Sequence, residues 1–221
     1  MDNKISTKSA FTLAEVLITL VVIGVVAALT IPTTISKFKK TQAETRLKKS
    51  YSTLANAVKR AEVDHGSISL WDYSDVNNFV TKYITPYVAN IKNSTNEHGK
   101  RILYLSDGTS WIFDREASLK FTIDINGDSK PNKNGYDRFV FFVFPRAAGL
   151  YNGGNGDIAR NVPSAGIYPD GYGIPKWYLL ANQYRGCNDW CTYGTYSCGA
   201  YCTVLIVSNG WKIPDDYPFN L

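Results

Sequence analysis

Histidine and methionine are nearly missing from this chain, at two residues and one, and no cysteine precedes Cys187. Neither His65 nor His98 lies near a cysteine or in a metal-ligand spacing, so histidine-based metal and acid–base sites lack material. No nucleophile elbow, phosphate loop or zincin motif occurs either. With no nucleophile, base and orienter set together, the sequence points to a non-enzymatic protein. Charged residues are few, 19 % of the chain, while aromatics reach 14 %, which excludes a solvated, disordered polymer. The net charge of +5 permits contact with an anionic surface or with nucleic acid without calling for either.

What the chain does have is unevenly placed. From Phe11 to Ile31 it reads FTLAEVLITLVVIGVVAALTI, with Glu15 the only charge. At about 1.5 Å per residue this run makes a helix about 30 Å long, the thickness of a bilayer's hydrocarbon core. Before it stands the polar stretch MDNKISTKSA with Lys4 and Lys8. An ordinary secretory signal has a shorter apolar region and a small-residue cut at its far end, where Val25 to Ala28 is a poor match. An uncut anchor fits the length. Neither accounts for Glu15, because a carboxylate inside a membrane helix is expensive and marks a functional position by default.

The segment Ala10-Phe11-Thr12-Leu13-Ala14-Glu15-Val16-Leu17 resembles the cleavage and methylation motif of the prepilin-like family, the subunits of type IV pili and type II secretion filaments. The resemblance implies a cut between Ala10 and Phe11 by a prepilin peptidase and methylase, with Phe11 N-methylated and Glu15 fifth in the mature chain. Ala10 stands where the family usually has Gly. Glu15 would then set axial register by meeting a neighbouring subunit's amino terminus, since opposite charges attract strongly in a low-dielectric layer. Gly24 and Pro32 mark places where the assembly helix can bend or open. The implied setting is the bacterial inner membrane, single-pass with an exported head, then a periplasmic or cell-surface filament of pilin-like partners. Lys37, Lys39, Lys40, Arg46, Lys48 and Lys49 follow the apolar run, more positive charge than the leader carries, so orientation rests on the resemblance and the cysteines rather than on charge.

Leu47, Tyr51, Leu54, Val58 and Ala61 then recur at helical spacing, and His65-Gly66 supplies a stop. From about residue 100 the period becomes two. Ile102 to Leu105 and Trp111 to Phe113 flank the turn Ser106-Asp107-Gly108-Thr109, Phe121, Ile123 and Ile125 form a strand with one buried face, and Arg138 to Phe144 reads as a central strand. Val204 to Val207 with Asn209-Gly210 and Trp211 suggests a last hairpin. The expected fold is α+β, a long helix packed on an antiparallel sheet, which the resemblance makes pilin-like. The expected organisation is a leader 1–10, an assembly helix 11–32, its amphipathic continuation 33–66 and a head 67–221.

Three candidate sites lie in the head. Asp124, Asn126, Asp128 and Asp137 sit in a polar turn whose opening D-x-N-x-D resembles part of a calcium loop, although Gly135 stands where an EF-hand has Glu. A polar turn needs no metal, so no cofactor is required and a structural calcium is the alternative. Cys187, Cys191, Cys198 and Cys202 read better as two disulfides of an exported domain than as a zinc site, and the sequence does not choose their pairing. Between Gly149 and Gly173 the chain is rich in Gly, with Pro163 and Pro169, and reads as a long, mostly irregular surface excursion. Trp177, Tyr178, Tyr184, Trp190, Tyr193, Tyr196 and Tyr201 follow, either as a small core or as a stacking surface for bases or sugars. The function expected is thus a structural filament subunit. The alternatives are a DNA-uptake or adhesive minor pilin and, further off, a membrane-anchored exported enzyme.

Overall fold

The computed structural model describes residues 11–95, 99–115, 119–146, 162–188 and 198–219. Helix α1 runs from Leu13 to His65, 53 residues, and the chain divides within it into a unit up to Lys39 and a second from Lys40 to Leu221. In the first unit the apolar side chains are exposed, Phe11 at 88 % and Leu29 at 71 %. This is the pattern of a helix apolar all round, which no core of its own covers.

In the second unit α1 becomes one-sided. Ala43, Leu47, Leu54, Ala57, Val58 and Ala61 are buried, with Ser50 among them and Tyr51 half-buried beside them. Gly66, at φ +76°, ends the helix where the sequence reading placed the stop. A 3₁₀ turn at Ile68–Leu70, helix α2 at Val76–Phe79 and a π-helical turn at Val80–Ile84 follow. Asp75 caps α2 by accepting from the Asn78 N–H at 2.7 Å. Trp71 stacks on Tyr83 at 4.4 Å to close this end of the core.

Six antiparallel strands form one sheet in chain order: β1 Asn90–Thr95, β2 Arg101–Leu105, β3 Ser110–Arg115, β4 Leu119–Asp124, β5 Arg138–Phe144 and β6 Gly166–Pro169. The β2–β3 turn is the expected hairpin, closed by Leu105 N–H to Thr109 O at 2.9 Å, with Gly108 at φ +82°. Alternate residues Trp111, Phe113, Phe121, Ile123, Phe139 and Phe141 join the α1 stripe in the main core. Trp111 Nε1–H donates to Ser50 Oγ at 3.0 Å, so the hydroxyl in the stripe is satisfied.

Two expectations change and a third gains detail. β4 buries both faces rather than one, with Lys120, Thr122 and Asp124 covered along with their neighbours, because a second layer lies on that side of the sheet. Val204 to Val207 is not a hairpin strand: Cys202–Ser208 is helix α4, buried on β5, where Thr203 Oγ1 accepts from the Val140 N–H at 2.8 Å. Burial outweighs the strand preference of this branched run. Part of the Gly-rich excursion is ordered as the edge strand β6, while residues 147–161 lie outside the described residues. The α+β expectation itself holds, a helix packed on an antiparallel sheet.

Leu54, at 1 % exposure, sits in the middle of the stripe. Leu54→Ala is expected to destabilise the second unit by about 2–5 kcal/mol. Val63→Ala, on the exposed side of the same helix, should stay within about 0.5 kcal/mol. Chemical denaturation followed by tryptophan fluorescence checks both.

Candidate functional site

The amino-terminal end of α1 is built around Thr12 and Glu15. Glu15 Oε2 accepts from the Thr12 N–H at 2.9 Å and from Thr12 Oγ1 at 2.8 Å, while the Glu15 N–H donates to Thr12 Oγ1 at 3.3 Å. This is a capping box, T-x-x-E, in which a side chain at each end satisfies a backbone donor at the other. The lone carboxylate of the apolar run therefore has a local task, starting the helix at Leu13, that the sequence reading missed although the spacing was there to see. Phe11 precedes it, and Ala10 lies outside the described residues.

Further along, the hydroxyls of the apolar stretch all point back into the helix. Thr19 donates to Val16 O, Thr30 to Val26 O, and Thr33 and Thr34 both to Thr30 O, each at 2.9 Å. No hydroxyl there is left without an acceptor, which a hydrocarbon surrounding requires. The helix passes through Pro32, whose missing N–H removes one ladder bond. At Gly24 an added Cβ would meet nothing within 4 Å. This helix is long and apolar enough to cross a membrane, and a signal sequence would meet the same description.

The calcium-like loop joins β4 to β5. Asp124, fully buried, accepts from Arg138 Nε at 2.7 Å and from the Asn126 N–H at 3.2 Å. Asp137 accepts from the backbone N–H groups of Asn132 at 2.8 Å and Lys133 at 2.7 Å, and from Asn126 Nδ2 at 3.3 Å. Asp128 reaches away to the Tyr104 hydroxyl at 3.0 Å. Asp124, Asn126 and Asp137 are thus brought together and Asp128 is not. Hydrogen-bond donors of the protein already satisfy Asp124 and Asp137. Among the described residues no group of three or more His, Cys, Asp or Glu is arranged to hold a metal. Burial, with the Asp137 charge adding to it, pushes the Asp124 carboxyl up to about 6 against the pull of Arg138 and the Asn126 N–H.

Cys187 and Cys202 form a disulfide, Cys198 is disulfide-bonded as well, and Cys191 lies outside the described residues. The loop and the disulfide, separate in the sequence, meet at Gly135. A Cβ there would come within 2.7 Å of Cys202 Sγ and of the Phe219 ring, and Gly135 holds φ +82°. Of the late aromatics, Tyr201 is buried with Cys187 and Cys202, Tyr178 packs against that cluster, and Trp177 and Tyr184 are exposed. Trp190, Tyr193 and Tyr196 lie outside the described residues. His65 lies edge-on to Tyr83 at the end of α1.

Two polar anchors had no signal in the sequence. Buried Asp170 accepts from Arg185 Nε at 2.9 Å, tying the turn after β6 to the cysteine region. Buried Glu44 accepts from Lys212 Nζ at 2.7 Å and from the Ile213 N–H at 2.9 Å, tying the carboxy-terminal turn to α1. Each is recognisable only once its partner, far along the chain, is in place.

A membrane-length apolar helix that continues into an α+β unit stapled by a disulfide is the class this structure defines. The chain belongs to the family of unknown function DUF6613, whose sequence model matches residues 33–221. No curated protein and no solved structure matches it.

Asp124 gives the loop a pH signature. Its folded-state pKa, about 6, lies above the ordinary 3.8, so the folded protein holds this proton more tightly than the unfolded chain does. The associated stability is fully present below about pH 4 and is lost as pH rises through about 6. In Asp124→Asn, which cannot titrate, that component should vanish. The melting temperature of the wild type relative to the variant is expected to fall between pH 4 and pH 7, and a flat or rising difference would contradict the assignment.

Proposed function

We propose that this chain is a prepilin-like subunit of a type IV pilus or type II secretion filament, cut before Phe11, methylated there and assembled through its apolar helix. The observation that carries the reading is a single one: an apolar run of membrane length whose only charge, Glu15, stands at the fifth position after an Ala10/Phe11 junction. Three further features support it. Helix α1 starts at Leu13, the third residue after the proposed cut, and runs on into a unit where it packs on an antiparallel sheet. The hydroxyls of the apolar stretch are internally satisfied. The disulfide suits an oxidising compartment. The partners are then a prepilin peptidase and methylase, other pilin-like subunits and the inner membrane. The secretion version adds a structural calcium in the β4–β5 loop, held by Asp124, Asn126 and Asp137, with Asp128 joining only if it leaves the Tyr104 hydroxyl. Thermal melts with calcium and with chelator test that addition, and identical melts would leave Arg138 as the cation of that loop.

Glu15 separates the filament reading from a plain helix start. Gln at this position can still reach the Thr12 N–H and keep a capping box, but it carries no charge. If Glu15 is the register charge, Glu15→Gln and Glu15→Ala should both insert in the membrane, keep a folded head and fail to enter filaments. Recovery of normal incorporation by Gln alone would reduce Glu15 to a cap. The mass of the amino-terminal peptide, from chain expressed with its own prepilin peptidase, tests processing: an N-methylated Phe11 start supports the reading and an intact Met1 start, or a cut near Ala28, overturns it.

A further inference from the structure

A groove of about 400 Å³ opens between α1 and the turn that follows α4, in the size range of small-ligand sites. Thr45, Lys48, Lys49 and Ser52 line one side, and Trp211 and Lys212 the other. Trp211 sets it apart from an ordinary surface cleft. Its φ of +67° is a left-handed conformation that a bulky aromatic seldom adopts. The residue directly follows a Schellman closure of α4, in which Gly210 takes the left-handed position at φ +67°, the Trp211 N–H donates to Ile206 O at 2.9 Å and the Gly210 N–H to Val207 O at 3.2 Å. The indole rests on Tyr51 at 4.8 Å, and Tyr51 rests on Phe141 at 5.3 Å, so the ring is braced from the core. Its N–H has no acceptor among the described residues.

The charges of the groove are mostly committed. Lys212 is held by Glu44 at 2.7 Å and Lys49 by Asp107 at 2.8 Å, whereas Lys48 has no carboxylate partner among the described residues. What remains for a ligand is one cation, one braced aromatic ring, the indole N–H, the Ser52 hydroxyl and the acceptor side of the Thr45 hydroxyl, which donates to Thr41 O at 2.8 Å. A phosphate-rich ligand would call for several free cations or a nest of backbone N–H groups. An acidic sugar brings one negative charge per ring, hydroxyls that donate and accept, and a C–H face whose partial positive charge meets the negative face of an indole.

We infer that this groove binds an acidic saccharide, with a pyranose ring stacked on Trp211 and its carboxylate on Lys48. Every lining residue belongs to the unit from Lys40 to Leu221, so the site does not depend on how the amino-terminal helix is processed or assembled.

Calorimetric titration of the full chain in detergent micelles, with tri-galacturonate, a neutral galactose trisaccharide and a short oligothymidylate, tests the site. Tri-galacturonate is expected to bind with a Kd on the order of 0.1–1 mM, and the neutral sugar at least about tenfold more weakly. Lys48→Gln should weaken tri-galacturonate about tenfold and Trp211→Asn by a similar factor. Lys59→Gln, outside the groove, should change nothing. Asn tolerates the left-handed backbone, and if Trp211→Asn nevertheless alters the melt, Lys48→Gln, at an exposed position, decides alone. Absence of heat at millimolar tri-galacturonate, equal binding of the neutral sugar, insensitivity to Lys48→Gln, or tighter binding of the oligothymidylate would each overturn the assignment.

Discussion

One helix has to satisfy two different surroundings, and the rest of the fold depends on how it does so. Up to Ile31 the sequence is apolar on all sides, and from Ala43 it is apolar on one. A helix with a single apolar stripe requires a partner surface at least as long as the stripe. The sheet supplies it: β3, β4 and β5 place Trp111, Phe113, Phe121, Ile123, Phe139 and Phe141 against the helix. Because side chains alternate across a strand, fixing this face also fixes which residues must find cover on the other. On that second face, which holds Thr122, Asp124, Val140 and Phe142, Ala200 packs beside Val140 and Phe142, while α4 meets β5 through Thr203 and is fastened by the disulfide through Cys202.

The small second layer explains why the late part of the chain is tied down by polar and covalent links rather than by mass. Its core is modest: Ile174, Leu179, Tyr201, Val204 and Leu205, with the disulfide among them. A core that small cannot hold its chain ends by burial alone. Glu44 fastens the carboxy-terminal turn, Asp170 fastens the segment after β6, and Gly135 lets the β4–β5 loop close on Cys202. Buried carboxylates of this kind are tolerated because each one is met by a cation or by backbone donors.

Much of this was legible before any coordinates. The α1 stripe, its stop at Gly66, the β2–β3 hairpin and the centrality of β5 each follow from a local period or a turn residue, and each is present. What was not legible has a common cause. The helical state of Val204 to Val207 depends on burial against β5, the double burial of β4 on a layer contributed much later in the chain, and the roles of Glu44 and Asp170 on partners at Lys212, Ile213 and Arg185. Contacts at long sequence separation leave no period to read. The capping box is the exception, since Thr12 and Glu15 are three residues apart; it was overlooked because a charge in an apolar run invites a functional explanation first.

The family match and the filament motif divide the chain between them. The match covers 33–221, whereas the residues that resemble a prepilin run from Ala10 to Pro32. The chemistry separates at nearly the same place. Glu15 acts, on either account of it, through helix initiation or charge within an apolar layer, and the head residues named here act through a packed sheet, a disulfide and a polar groove. Among the described residues no side-chain hydrogen bond of Glu15 reaches beyond Thr12. On the proposed reading, delivery and assembly would be properties of the first segment, and the second, which the family model covers, would carry what is particular to this chain. Within that second segment, Trp211 is an aromatic in a left-handed conformation, its partly buried ring packed on Tyr51 beside the main core. A conformation held at a cost, beside an uncommitted ammonium and an open groove, is where a head-specific function has its physical basis.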